Sequence, residues 1–170
     1  MTDRPRDFPG RRAARRHDPR GDAWFASLLI DSYQRLLGMD LCPPGWATLS
    51  GAASWLYEEA PFALLAHDAS ADPLFVYANR TAQQCFGYTW EEFIGLPSRL
   101  SAAAATQQDR EALLAAVNDH GYVDGYQGFR QHKDGRIFRI EEVCMWNLTD
   151  ADGSHHGQAA MFRAVSPVDT

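Results

Sequence analysis

The spacing of apolar residues divides the chain into a helical first part and a largely β second part. Helical spacing predicts two helices, over residues 22–39 and 49–59, separated by a proline-rich linker at residues 42–45. The apolar stripe of the first helix contains Trp24, Leu28, Tyr33, Leu36 and Leu37. The expected N-caps are Asp22 for the first helix and Thr48 or Ser50 for the second.

Strand signals begin after Pro61. Residues 62–67 are a continuous apolar run that suits a central buried strand, and residues 74–77 predict a second strand. Three further strands are predicted near the end of the chain, joined by turns at Asp-Gly pairs. Their ranges are 122–132, 137–148 and 155–165.

Three helices are predicted between the two groups of strands. The first starts at Asn79 and breaks at Gly87, and the second spans residues 89–95. Thr89 and Glu92 have the spacing of a capping box, in which each side chain satisfies a backbone N–H at the helix start. The third helix covers residues 106–120, with Thr106 as its cap, Gly121 after its end, and a buried stripe of Leu113, Leu114 and Val117.

This order of elements predicts an α+β fold. Two strands first, three last and helices between them build an antiparallel five-stranded sheet with short helices on one face, preceded by two N-terminal helices. A strand that turns at Asn79 into small helices over a sheet resembles the layout of a PAS-type sensor module. The expected organisation is a disordered Arg-rich leader (1–21), flanking helices (22–60) and a PAS-like core (61–166).

The net charge of −6 hides an asymmetry along the chain. Residues 1–20 contain seven Arg and three Asp, whereas the remainder has nine basic and 19 acidic side chains. An acidic body repels phosphate, so the folded part is not expected to bind nucleic acid. The leader is interpreted as disordered. A weak contact with acidic partners or nucleic acid and an over-long start site are the alternatives.

The cysteines and the hydropathy indicate in which compartment of the cell the protein is expected. Cys42, Cys85 and Cys144 are widely spaced and form no C-x-x-C pair, which favours free thiols in a reducing cytoplasm. No run of about 18 apolar residues exists, so no membrane span is predicted.

Three stretches resemble the MEKHLA family, which is described as PAS-like. They are ANRTAQQCFGYTWEEFIGLPSRLSA, GYVDGYQGFRQHKDGRIFRIEEVCMWNL and DGSHHGQAAMF, and the resemblance covers about residues 24–165. The family occurs as small stand-alone bacterial proteins and at the C-terminus of plant class III homeodomain-leucine zipper proteins. The resemblance implies a sensory or regulatory role without naming a ligand. The chain has no homeodomain or zipper heptads, so DNA binding does not carry over.

A candidate pocket follows from alternation along the strand at residues 137–148. Phe138, Ile140, Cys144, Trp146 and Leu148 are expected on one face, and Arg139, Glu141, Val143 and Met145 on the other. Unbroken register would place Glu142 among apolar groups, with Arg130 on the preceding strand as its expected partner. The alternative is a β-bulge that turns Glu142 to solvent.

The candidate ligand-binding residues are aromatic and polar side chains expected around this pocket. They are Cys85, Trp90, Tyr122, Tyr126, Arg130, Glu142, Trp146 and Gln158. The rings could stack on a flat ligand such as a flavin, and ordinary core packing is the alternative.

The sequence identifies no cofactor. Cys85 lies in QQCFG, which lacks the Asn-Cys-Arg-Phe-Leu-Gln setting of a flavin-thiol photosensor. His120 is the one candidate for a haem ligand, but at the end of its helix it is expected to lie in water. His132, His155 and His156 show no metal-ligand spacing, and no nucleophile elbow, phosphate loop or H-E-x-x-H motif occurs.

Three hypotheses about function remain open. A PAS-like module that binds a small molecule or a partner protein predicts a cavity of a few hundred Å3 under the short helices. A pure interaction or dimerisation module predicts a filled interior and an exposed apolar patch. A small enzyme of unrecognised type predicts polar groups with shifted pKa values in a cleft. The first helix is expected to pack on the sheet or to form a homodimer.

Overall fold

The computed structural model describes residues 18–168. The leader that the sequence predicts to be disordered covers residues 1–21, so most of it lies outside the described range. Its last residues form a turn in which Arg20 pairs with Asp18 and lies 4.8 Å from the centre of the Trp90 ring.

Within residues 18–168 the elements alternate as the sequence predicts. The helices are α1 (Ala23–Leu37), α2 (Leu49–Glu58), α3 (Arg80–Phe86), α4 (Trp90–Phe93) and α5 (Gln107–His120). The strands are β1 (Ala63–His67), β2 (Phe75–Ala78), β3 (Tyr122–Gln131), β4 (Ile137–Thr149), β5 (His155–Phe162) and β6 (Ala164–Pro167). Two 3-10 turns, Ser98–Ser101 and Ala104–Thr106, precede α5.

The strands form one antiparallel sheet in the order β2-β1-β5-β4-β3. The α+β class and the antiparallel sheet are confirmed. The strand predicted over residues 155–165 is interrupted at Arg163, and its second part, β6, pairs with the first half of β4. β5 and β6 thus lie end to end beside one long strand.

Side-chain caps begin most of the helices. Asp22, Thr48 and Asn79 each accept a hydrogen bond from a backbone N–H of the first turn, and Thr89 with Glu92 forms the expected capping box. The prediction that Thr106 caps α5 is wrong. Its hydroxyl donates to the Ala103 carbonyl at 3.0 Å, because a 3-10 turn runs directly into the helix.

The two faces of the sheet carry separate apolar cores. α1 and α2 cover one face, with Leu29, Leu56, Tyr77 and Trp146 among its buried residues. α3, α4 and α5 cover the other face. Within the first core, the Trp146 indole N–H donates to the Ser32 hydroxyl at 3.0 Å. Trp24 does not belong to the buried stripe of α1, since 53% of it is exposed. The division into flanking helices and core stays a prediction.

Among residues 18–168, no helix combines the length and the apolar character needed to cross a membrane.

Candidate functional site

A β-bulge at Glu142 decides which side chains reach the helix-covered face of the sheet. Glu142 has φ 53°, and the pairing of β3 with β4 shifts register nearby, on both sides of Tyr126. An extra residue in a strand reverses the alternation of every side chain that follows it. Phe138 and Ile140 therefore share a face with Val143 and not with Cys144.

The reversal corrects the expected position of three candidate residues. Glu142 is exposed, as in the bulge alternative, and makes no ion pair with Arg130 among the described residues. Trp146 is fully buried, but against Tyr33 of α1, with ring centres 4.9 Å apart. Tyr122 pairs with Trp146 across the strands, so it lies on that same face, 41% exposed.

Cys85 and Trp90 also lie outside the cavity described below. Cys85 is half-buried against the core under the helices, and burial raises the pKa of its thiol. Trp90 packs edge-to-face on Tyr57 and Tyr77, at ring-centre distances of 5.6 and 6.0 Å. Both side chains complete apolar cores, which is the alternative that the sequence left open.

A cavity of about 50 Å3 lies between the sheet and the helices on this second face. It is smaller than the few hundred Å3 expected for a ligand pocket. Apolar side chains such as Phe86, Met145 and Phe162 form part of its wall. Six polar side chains also line it: His67, Ser98, Ser101, Arg110, Arg130 and Gln158.

Two guanidinium groups dominate the electrostatics of the cavity. Arg110 of α5 is 7% exposed and donates to the Ser98 hydroxyl, and Arg130 of β3 is 9% exposed and donates to the Phe129 carbonyl at 2.7 Å. Burial lowers the pKa of both groups, and the charge of Arg130 lowers the pKa of Arg110 further.

Tyr126 supports Arg130 from beside the cavity. The guanidinium carbon of Arg130 lies 5.9 Å from the centre of the Tyr126 ring. Gly128 makes room for this ring, because a Cβ at that position would lie 2.5 Å from the tyrosine hydroxyl and 2.7 Å from a ring carbon. Tyr126 thus orients a residue of the cavity without being part of its wall.

His67 and Gln158 face each other on neighbouring strands β1 and β5. The His67 Nδ1 lies 2.9 Å from the Asp68 carbonyl, to which it must donate, since a carbonyl only accepts. Burial lowers the pKa of His67, which favours the neutral ring. The Gln158 amide donates to the side-chain oxygen of Asn147 at 3.2 Å.

Of the eight predicted site residues, Arg130 and Gln158 line the cavity and Tyr126 adjoins it. Sequence reasoning missed His67, Ser98, Ser101 and Arg110. Arg110 was detectable, because it is spaced by three and seven residues from Leu113 and Val117 and so falls on the buried stripe of α5. His67 was detectable as the last residue of a wholly buried strand.

The bulge gives a direct test of backbone strain. Glu142→Gly is expected to be more stable than Glu142→Ala by about 0.5–1 kcal/mol, because glycine alone is free at this positive φ. At Glu141, a neighbouring residue without a positive φ, the order should reverse, with Gly less stable than Ala. Urea unfolding of the four variants checks this. If glycine and alanine rank in the same order of stability at both positions, the result contradicts the bulge.

The sequence family is established by a domain match over nearly all of the described residues. The model of the MEKHLA domain matches residues 23–167. The chain belongs to the MEKHLA domain family. The resemblance deduced from the sequence is thereby confirmed, and the matched range of this MEKHLA chain includes α1 as well as the sheet. No curated protein is similar enough to the sequence to count as a match.

Solved structures with the same fold are PAS and Light-Oxygen-Voltage (LOV) domains. A PAS domain from Colwellia psychrerythraea has a TM-score of 0.60 and 20% identity, over 69% of this chain and 97% of the other. The LOV domain of the Erythrobacter litoralis EL346 blue-light activated histidine kinase has a TM-score of 0.54 and 22% identity, over 65% and 100%. An RNA-binding LOV receptor has a TM-score of 0.59 and 21% identity, over 73% and 36%. At these identities the likeness shows the fold alone.

A flavin does not fit the cavity of the MEKHLA chain. Its three-ring system needs far more room than about 50 Å3, and Cys85 does not line the cavity. Among residues 18–168, no three His, Cys, Asp or Glu side chains cluster so as to hold a metal ion.

Proposed function

We propose that the chain is a PAS-type sensory or regulatory module that binds a small molecule in the cavity beneath α5 and signals by contact with another protein. The observation that carries the proposal is the convergence of six polar side chains inside an apolar core. They come from β1, the turn Ser98–Ser101, α5, β3 and β5. A few convergent polar groups in an apolar wall are typical of ligand sites.

The packing of β4 supports α1 as the element that responds to the ligand. Met145 lines the cavity, and the next residue, Trp146, packs on the opposite face against α1. α1 is also tied to the end of β4, because Arg35 donates to the Thr149 carbonyl. A ligand that moves β4 would therefore act directly on the packing of α1.

The same proposal includes a homodimer or a partner protein that contacts α1, where Trp24 is exposed. A cytoplasmic location is also part of it. Cys42, Cys85 and Cys144 are all free, as expected in a reducing compartment.

Two alternatives make different predictions for the same cavity. A pure interaction module needs no ligand. The small volume of the cavity favours this alternative. A small enzyme would use the convergent groups for chemistry, since shifted pKa values also mark active sites. An enzyme converts its bound molecule, whereas a sensor releases it unchanged.

Native mass spectrometry and an absorbance spectrum of freshly purified protein form the first test. A thermal-shift screen of small metabolites follows, with Ala160→Leu as a variant that fills the cavity. Ala115→Leu, on the exposed face of α5, is the matched control. We expect a ligand to bind the wild type and Ala115→Leu but not Ala160→Leu, and to be recovered unchanged.

Other outcomes overturn parts of the proposal. Binding that persists in Ala160→Leu would place the ligand outside the cavity. A wild type that binds nothing in any screen, but has the native mass of a dimer, would support the interaction module. Recovery of a converted compound would support the enzyme.

A further inference from the structure

Two buried positive charges in the cavity form no ion pair with an acidic side chain among residues 18–168. No ion pair of these residues includes Arg110 or Arg130. Their observed hydrogen bonds go to a hydroxyl and a backbone carbonyl, and neither acceptor is charged. A guanidinium stays protonated in proteins, and burying it without an anion is strongly unfavourable. A negative charge bound in the cavity would offset this cost.

His67 adds a second, independent sign of a ligand. It is 7% exposed and lines the same cavity, yet its Nε2 has no hydrogen-bond partner within the described part of the chain. With Nδ1 donating to the Asp68 carbonyl, Nε2 of the neutral ring is an acceptor. A buried acceptor of this kind calls for a donor on the ligand, such as a hydroxyl group.

The volume restricts the ligand to a few atoms. About 50 Å3 corresponds to roughly three to five water molecules. Acetate, glycolate and lactate have four, five and six non-hydrogen atoms, which is about this size. A carboxylate is flat and accepts two parallel hydrogen bonds from one guanidinium, so it matches the fork of Arg110 or Arg130 better than a spherical anion does.

We infer that the cavity binds a small hydroxycarboxylate, with its carboxylate at Arg110 and Arg130 and its hydroxyl donating to His67. This inference rests on the proposed function and specifies its ligand. The two arginines supply affinity for the anion. His67 distinguishes a hydroxy acid from the plain acid of similar size, because only the former satisfies its Nε2.

Titration calorimetry of the full chain, dialysed into a zwitterionic buffer, tests the inference with glycolate and lactate. Acetate, the neutral glycolamide and inorganic phosphate are the comparison probes, at matched ionic strength. We expect glycolate or lactate to bind at least tenfold more tightly than acetate, and glycolamide not to bind. Phosphate that binds as tightly as glycolate would overturn the carboxylate assignment.

Substitutions separate a binding role of the arginines from a structural one. Arg110→Met and Arg130→Met are expected to abolish binding while the melting temperature without ligand stays unchanged or rises, because an unpaired buried charge is removed. Arg136→Met, at an exposed ion pair on the β3–β4 turn, is the control and should bind normally. If both cavity variants melt at lower temperature than the wild type and still bind glycolate, the arginines are structural and the inference is wrong.

His67→Leu tests the hydroxyl contact. We expect its affinity for acetate to remain within about twofold of the wild type, and its preference for glycolate to disappear. A preserved preference would remove His67 from the site. If no anion binds but a neutral compound does, and Ala160→Leu abolishes that binding, the carboxylate inference fails while the proposed function stands.

Discussion

Asn79→Ala is expected to lower the free energy of unfolding by about 4 kcal/mol, a large part of the 5–15 kcal/mol that stabilises a typical domain. The side chain is completely buried, and its oxygen accepts from the backbone N–H groups of Leu64 and Ala82, both at 3.0 Å. Its amide donates to the carbonyls of Leu56 and Phe62, at 3.0 and 2.9 Å. Alanine would leave four buried backbone groups without this partner.

Chemical denaturation measures the effect, and two variants sharpen it. Asn79→Asp keeps the acceptor contacts but sets a carboxylate against two carbonyl oxygens, so it should destabilise the protein at least as much. Asn118→Ala, on the exposed face of α5, should change stability by less than about 0.5 kcal/mol. A loss below about 1 kcal/mol for Asn79→Ala would show that water replaces the four contacts.

Asn79 also shows what the sequence could and could not predict. The turn at this residue and the helix after it follow from local signals, and both are confirmed. The bonds to α2 and to the start of β1 could not be predicted, because their partners are backbone groups up to 23 residues away. Backbone groups leave no signature in a sequence.

The candidate site depended on a register that the sequence does not encode locally. A bulge at a positive φ is usually marked by Gly or Asn, but here the residue is Glu142. Because the predicted alternation ran through Glu142 without a break, it assigned the residues of β4 after Glu142 to the wrong face and so placed Trp146 in the pocket. Arg130 precedes the bulge along the chain and Gln158 lies on another strand, so the bulge does not affect them, and both line the cavity.

The burial of Arg110 on α5 was not predicted from the sequence for a different reason. Arg110 lies on the same stripe as Leu113 and Val117, but a charged residue on a helix is normally assigned to the solvent face. A polar residue that interrupts the apolar stripe of a helix therefore indicates a buried polar site in this fold. Here such an interruption marks the cavity.

Gly157→Ala is expected to cost about 3–5 kcal/mol and to disturb the cavity itself. Gly157 has φ 137°, and a Cβ there would overlap the His67 carbonyl oxygen and lie 3.0 Å from its carbon. The obstacle is the backbone of the neighbouring strand β1, which cannot rotate away as a side chain can. The clash is relieved only if β1 moves at His67. This is the residue whose Nε2 lacks a hydrogen-bond partner among the described residues.

Gly153→Ala separates this clash from the effect of a positive φ. Gly153 has φ 80° in the turn before β5, with no atom within 4 Å of an added Cβ, so its variant should lose only about 1–2 kcal/mol. Urea unfolding of both variants measures the difference. Nearly equal losses would mean that β1 and β5 separate easily at this end. A much larger loss for Gly157→Ala means that the close approach of the strands fixes the position of His67, and with it the shape of the cavity.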